Sequence, residues 1–153
     1  MRRVIKTIFQ PDGSPAQIPV LRDLFIITIP VDIISFDGVP VIRNVNFDSD
    51  SDFIWTKTTY QCSIGNEFED IVDNPVPTIT VEIKDTSSSR DFQSAPVHIS
   101  NLAGRGTWPY ILPEPRTFKA NSTAQFKFLN FIDDGVTEYT NLYLNLIGYK
   151  EWR

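Results

Sequence analysis

The side chains able to do chemistry in this 153-residue chain are few and scattered. The one histidine, His98, stands in Ala95-Pro96-Val97-His98-Ile99, and the one cysteine, Cys62, follows the aromatic run Phe53–Gln61. Nucleophilic catalysis needs a Ser, Thr or Cys within hydrogen-bond reach of a base. No motif sets one beside His98, which reads as a loop or edge-strand residue satisfying a backbone group. Cys62 has only Lys57 as a nearby cation and reads as an inert, buried or half-buried thiol. One Cys and one His also exclude an internal disulfide and a Cys/His zinc site.

Asp48-Ser49-Asp50-Ser51-Asp52 has the alternating acids that open a calcium loop, but the rest of that pattern is missing. Phe53 stands where the sharp turn needs Gly, and Thr59 where the bidentate Glu belongs. A solvated turn between two strands is expected. Glu67, Glu69, Asp70 and Asp73 form a second acidic group, read as charged surface; paired-carboxylate glycosidase chemistry would need a sugar groove besides. Gly104-Arg105-Gly106 neither follows a clear strand nor opens a helix, so it is no phosphate cradle. Its glycines are expected to allow positive φ or close backbone approach. Asn121-Ser122-Thr123 fits the glycosylation pattern, which matters only on a secretory route. No catalytic set, cofactor or metal site is expected, and the chain reads as non-enzymatic.

The elements that would position these residues are strands. Leu142, Leu144 and Leu146 alternate with Asn141, Tyr143 and Asn145; Ala124, Phe126 and Phe128 alternate with Thr123, Gln125 and Lys127. Both are the period-two signature of half-buried strands. With Asp133-Asp134-Gly135 as a turn between them, they read as a C-terminal hairpin. Thr78–Lys84 alternates in the same way. Val39–Phe47 does so with Arg43 breaking the rule, and Phe53–Gln61 does so less cleanly. The unbroken apolar run Leu24–Ile29 predicts a strand covered on both faces. Helix is limited to one turn around Glu67–Val72. The expected fold is all-β: a single-domain antiparallel β-sandwich over residues 24–153, jelly-roll-like.

Two stretches fall outside this pattern. Residues 1–23, with Pro11, Asp12-Gly13, Pro15 and Pro19, read as an extended N-terminal arm of limited strand character. Residues 85–122 form a long Pro-rich loop without alternation, carrying Phe92, Trp108, Tyr110, Ile111, Leu112 and Phe118. Loops of that length in compact domains usually serve a purpose or are disordered, and this composition is not that of disorder.

Composition bounds the partners. A net charge of −5 and a pI near 4.8 argue against nucleic-acid binding. Mean hydropathy of −0.16, with no apolar run near the roughly 20 residues that span a bilayer, argues against a membrane. Met1-Arg2-Arg3 starts like a signal peptide, but Lys6, Gln10 and Pro11 break the apolar stretch.

A package of features gives the first functional lead: Ser87-Ser88-Ser89-Arg90, Gly104-Arg105-Gly106-Thr107-Trp108-Pro109-Tyr110-Ile111-Leu112-Pro113-Glu114-Pro115-Arg116, and the terminal Leu146-Ile147-Gly148-Tyr149-Lys150. Over residues 85–150 the chain resembles small virion proteins of tailed bacteriophages, which tend to show a Gly/Ser-Arg turn, a Pro-x-Pro loop and a strand ending in Gly-Tyr-Lys. The turn here lacks glycine. The resemblance implies a capsid cement or decoration protein. Such a protein would be assembled into the virion in the bacterial host cytoplasm, with the major capsid protein or other virion proteins as partners. It would be a homo-oligomer bridging coat subunits. Trp108, Tyr110, Ile111 and Leu112 are then interface anchors, and Arg90, Arg105 and Arg116 pair with carboxylates on neighbours. The opposing possibility is that these aromatics cover the domain's own sandwich. The arm is a second candidate contact, through strand addition. Alternatives are a head–tail or tail component, or a carbohydrate- or receptor-binding module using Trp55, Trp108 and Trp152 as stacking platforms.

Overall fold

A computed structural model describes residues 1–34, 37–64, 72–73, 77–132 and 139–152, excluding the side chains of 33, 64, 72 and 73. The chain is all-β, in two antiparallel sheets, with no α-helix among the described residues. Eleven strands follow in chain order: β1 (Arg2–Phe9), β2 (Pro15–Ile34), β3 (Val41–Asn46), β4 (Asp52–Ile64), β5 (Val72–Asp73), β6 (Ile79–Asp85), β7 (Arg90–Asp91), β8 (Val97–His98), β9 (Tyr110–Phe118), β10 (Thr123–Asn130) and β11 (Tyr139–Trp152). The first sheet runs β1-β2-β11-β4, with β5 and β9 both on the far edge of β4. The second runs β3-β10-β6, with β7 and β8 on the far edge of β6.

The pairings nest. β2 pairs β11, β3 pairs β10, β4 pairs β9 and β6 pairs β8, each antiparallel. The alternating residues supply the two inner faces of one core: Leu142, Leu144 and Leu146 from β11, Phe126 and Phe128 from β10, and Ile79, Val81 and Ile83 from β6, all buried. Phe118 at the end of β9 stacks on Phe47 at 4.4 Å between centroids, with Trp55 and Phe92 on its flanks.

Several expectations change. β10 and β11 are not a hairpin, because they sit in opposite sheets; two strands with one apolar face each can bury those faces by facing across a core as well as by lying edge to edge. The turn assigned to Asp133-Asp134-Gly135 lies outside the described residues, as do Glu67, Glu69 and Asp70 and the helical turn expected at Glu67–Val72, apart from Val72 in β5. Leu24–Ile29 is a strand but is not covered on both faces, since Leu24, Phe25 and Ile26 are exposed. The arm is not irregular: β1 and the first half of β2 form a hairpin in register from Arg2↔Arg22 to Phe9↔Pro15, and β2 runs unbroken through residues 23 and 24. Residues 85–122 are not a loop, for they contain β7, β8, a 3-10 turn at Ile99–Asn101 and the nine-residue β9.

Two irregularities have local causes. The uneven alternation of β4 comes from a register slip between Trp55 and Lys57, which moves the inward phase from Phe53 and Trp55 to Thr58, Tyr60 and Cys62. Arg43 breaks the pattern of β3 because its guanidinium reaches β2, donating to the carbonyls of Pro30 and Val31 at 2.9 and 3.1 Å. Those carbonyls immediately precede Asp32, which takes a left-handed φ of 67° where β2 and β11 lose register.

Candidate functional site

The segment 85–122 is fastened down at several points. Asp85 accepts from the backbone N–H groups of Ser87 and Ser88 and from the Ser88 hydroxyl; these bonds outweigh its desolvation and hold its carboxyl below the ordinary value. Phe92 packs on the core and the 3-10 turn follows. Gly104 is then laced to β4, donating its N–H to the Thr58 carbonyl and accepting from the Tyr60 N–H. A Cβ at Gly104 would meet the Trp108 carbonyl oxygen at 1.9 Å, so the close approach expected of this glycine is real. The Arg105–Trp108 turn closes with the Trp108 N–H donating to Arg105, and presents an indole that is 83% exposed.

β9 leaves this turn and pairs with β4 in two separate stretches. Tyr110 and Ile111 oppose Thr58 and Lys57, Arg116 to Phe118 oppose Trp55 to Phe53, and Leu112–Pro115 bulge out between them. Pro113 and Pro115 suit a bulge because proline cannot donate to a ladder. Behind it opens a cleft of about 270 Å³, lined by Trp55, Ile83, Phe92, Gln93, Leu112 and Glu114 among others. The Gln93 side-chain oxygen accepts from the Ile83 backbone N–H at 2.9 Å, which fixes the amide's orientation. Its Nε2 is buried and has no partner. An unmet buried donor of this kind costs about 1–3 kcal/mol.

The seven expected interface residues therefore do not form one patch. Trp108 and Ile111 (65% exposed) face outward. Tyr110, Leu112 and Arg116 line the cleft, with Leu112 also packed against the core. Arg105 is exposed on the turn, and Arg90 is exposed on the edge strand β7, opposite Asp85. Of the three tryptophans named as stacking platforms, Trp108 alone is exposed. Trp55 is 2% exposed with its indole N–H bonded to Lys57 and Thr58, and Trp152 is half-buried beside Asp50.

A larger apolar surface lies on the arm. Residue parity along β2 carries the core-side stripe from Ile29 and Ile27 through Phe25 to Leu21, then across to Ile5 and Phe9 on β1. Ile5 is 66% and Phe9 75% exposed. At roughly 3.3 Å per residue β2 extends about 66 Å, whereas β3 opposite has six residues, so the stripe outruns the second sheet. The arm is held at its base by Glu151, 2% exposed, which accepts from Lys6 at 2.5 Å and Arg22 at 2.7 Å. Desolvation pushes its pKa up, but the two cations outweigh this and leave it below 4.5. Asp12-Gly13 between alternating β-branched runs was the signal for this hairpin, with Gly13 at φ +81°. No sequence signal marked Gln93.

The remaining candidates have ordinary surroundings. His98 Nδ1 lies 2.6 Å from the Ser100 hydroxyl and accepts from the Ser100 N–H, so the ring caps the 3-10 turn. Burial pushes the Cys62 thiol up to about 11, opposed only by Arg105. Asp52 accepts from Lys119 and the Ala120 N–H, Asp48 pairs with Lys150, and the five-residue acidic run is a turn between β3 and β4. The chain matches no protein-family model, no curated protein and no solved structure.

Proposed function

We propose that the chain is a virion structural protein of a tailed phage, of the cement or decoration type, which grips neighbouring coat subunits through its hairpin arm. The observation that carries this reading is where apolar surface is exposed. More than half of the exposed large apolar side chains among the described residues fall within the first 26 positions, Ile5, Phe9, Leu21, Leu24, Phe25 and Ile26 among them. Apolar patches of this kind mark contacts with other macromolecules. The nested strand pairing supports a jelly-roll reading of the sandwich, an architecture that viral capsid proteins use. Trp108 and Ile111 offer a second, smaller contact near β9.

Particles assembled without the protein, then supplied with it, test the proposal. Saturable binding and raised heat resistance are expected. The double variant Ile5→Ser, Phe9→Ser should lose binding while its own melting temperature stays within a few degrees. Equal heat resistance with and without the protein overturns the cement role, and labelled protein at a single vertex replaces it with a head–tail component.

A further inference from the structure

The margins of the two sheets are closed in different ways, and β1 is left open. Among the described residues, β5, β7 and β8 have two residues each, and β9 is interrupted by the bulge with Pro113 and Pro115. β3 is bridged by Arg43 to the β2 carbonyls, and the part of β2 beyond its β11 partners carries Pro15 and Pro19. Such devices keep a sheet from adding further strands. β1 runs eight residues without proline or bulge, in unbroken register with β2 on one side and with no described strand on the other. We propose that this edge takes up an extended acidic segment of a partner protein, with two adjacent carboxylates on Arg2 and Arg3 and apolar residues beside Val4 and Ile5.

Charge sets the class of partner. Residues 1–22 hold Arg2, Arg3, Lys6 and Arg22 against one acid, Asp12, in a chain of net charge −5. Glu151 engages Lys6 and Arg22, whereas Arg2 and Arg3 are exposed and have no ion-pair partner among the described residues. Arg2 also lies directly across from Arg22, a like-charge arrangement that destabilises a hairpin unless an anion joins it. Three clefts meet at Arg3. One of about 730 Å³ adds Arg2, Leu24 and Tyr149, and two smaller ones add Trp152 and Ile5. Asp23, the acid of the first cleft, is engaged by the Met1 amine at 3.4 Å. Successive strand residues face opposite sides, so adjacent carboxylates on a paired strand reach Arg2 and Arg3 together. A second copy of β1 would bring the same cations to the edge. An anionic lipid surface would meet the arginines but leave the N–H and C=O groups of the edge unpaired.

The inference rests on the arm being the gripping element, and not on the partner being a coat subunit. The full chain is titrated with the peptide N-acetyl-Thr-Thr-Ile-Val-Glu-Glu-amide while exchange of the β1 amides is followed by NMR. In antiparallel register its two glutamates fall across from Arg3 and Arg2. A Kd of about 0.1–1 mM is expected at about 50 mM salt, weakening about tenfold in about 1 M salt. At about ten times the Kd, the β1 amides that point away from β2 should exchange about tenfold more slowly. Arg2→Gln with Arg3→Gln should weaken binding about tenfold or more, and Arg2→Lys with Arg3→Lys should largely keep it. Arg2→Glu with Arg3→Glu should transfer the preference to the same peptide ending in Lys-Lys. Equal binding of the Lys-Lys peptide by the unaltered chain, binding without slowed β1 exchange, or saturable binding to phosphatidylglycerol vesicles in place of the peptide overturns the assignment. So does a free chain that sediments as a dimer with its β1 amides already protected. Each of these results leaves particle binding through Ile5 and Phe9 to its own test.

Discussion

Cys62 and His98 show how residue type alone bounds chemistry. The thiol sits under a side chain layer that raises its pKa from 9.0 to about 11, so at a given neutral pH about a hundredth of the ordinary thiolate remains. Maleimide or disulfide reagents should therefore label the folded protein about a hundredfold more slowly than the unfolded chain, measured at one pH. Gly104 and Gly148 make a different point. Each has backbone where a Cβ would go, the Trp108 carbonyl oxygen in one case and the Ile54 carbonyl oxygen in the other, both at 1.9 Å. Gly148→Ala should cost about 3 kcal/mol in denaturant unfolding, because neither β4 nor β11 can move without breaking the sheet. Gly104→Ala should cost less and alter the fluorescence of exposed Trp108, since a surface turn can shift. The sequence marked Gly104-Arg105-Gly106 as a close approach, and showed Gly148 only as part of a strand end in Gly-Tyr-Lys. Nothing near Gly148 in the sequence reveals that Ile54 lies against it.

At the scale of elements, the hairpin arm depends on one buried carboxylate. Glu151 is stabilised in its charged form by Lys6 and Arg22, so its folded pKa lies below the unfolded value near 4.5. Its contribution is fully present above 4.5 and is lost as pH falls through the depressed folded value. Hydrogen exchange of the β1 amides, corrected for the intrinsic rate, should thus quicken below pH 4.5 and be insensitive to this group above it. Glu151→Ala should free the arm at neutral pH, at a local cost of about 1–3 kcal/mol, while amides of β10 and β6 keep their protection. Strands were readable wherever one face was buried and the other wet. β6, β10 and β11 announced themselves by alternation, and β4 did so until its bulge changed phase at Thr56. β1 and β9 were missed for physical reasons: the arm exposes apolar groups on both faces, and the prolines of β9 imitate a loop.

For the molecule as a whole, stability rests on the layer where the two sheets meet. Phe126 lies at its centre, wholly buried between β6 and β3. Phe126→Ala should lower unfolding stability by about 3–5 kcal/mol, read as one cooperative transition, whereas Ile5→Ser and Phe9→Ser leave the transition nearly unmoved. Alternation and punctuation determined that this chain is all-β and that Leu142, Leu144, Leu146, Phe126 and Phe128 are core, since side-chain period along a strand is a local property that neighbours in sequence impose. Tertiary structure alone decided that β10 and β11 belong to opposite sheets, that β2 outruns its partner layer and bares the arm, and that Gln93 Nε2 is buried without a partner. Each of these depends on which distant strand lies alongside, and pairing energy is nearly the same for any two strands of suitable pattern until the whole core closes.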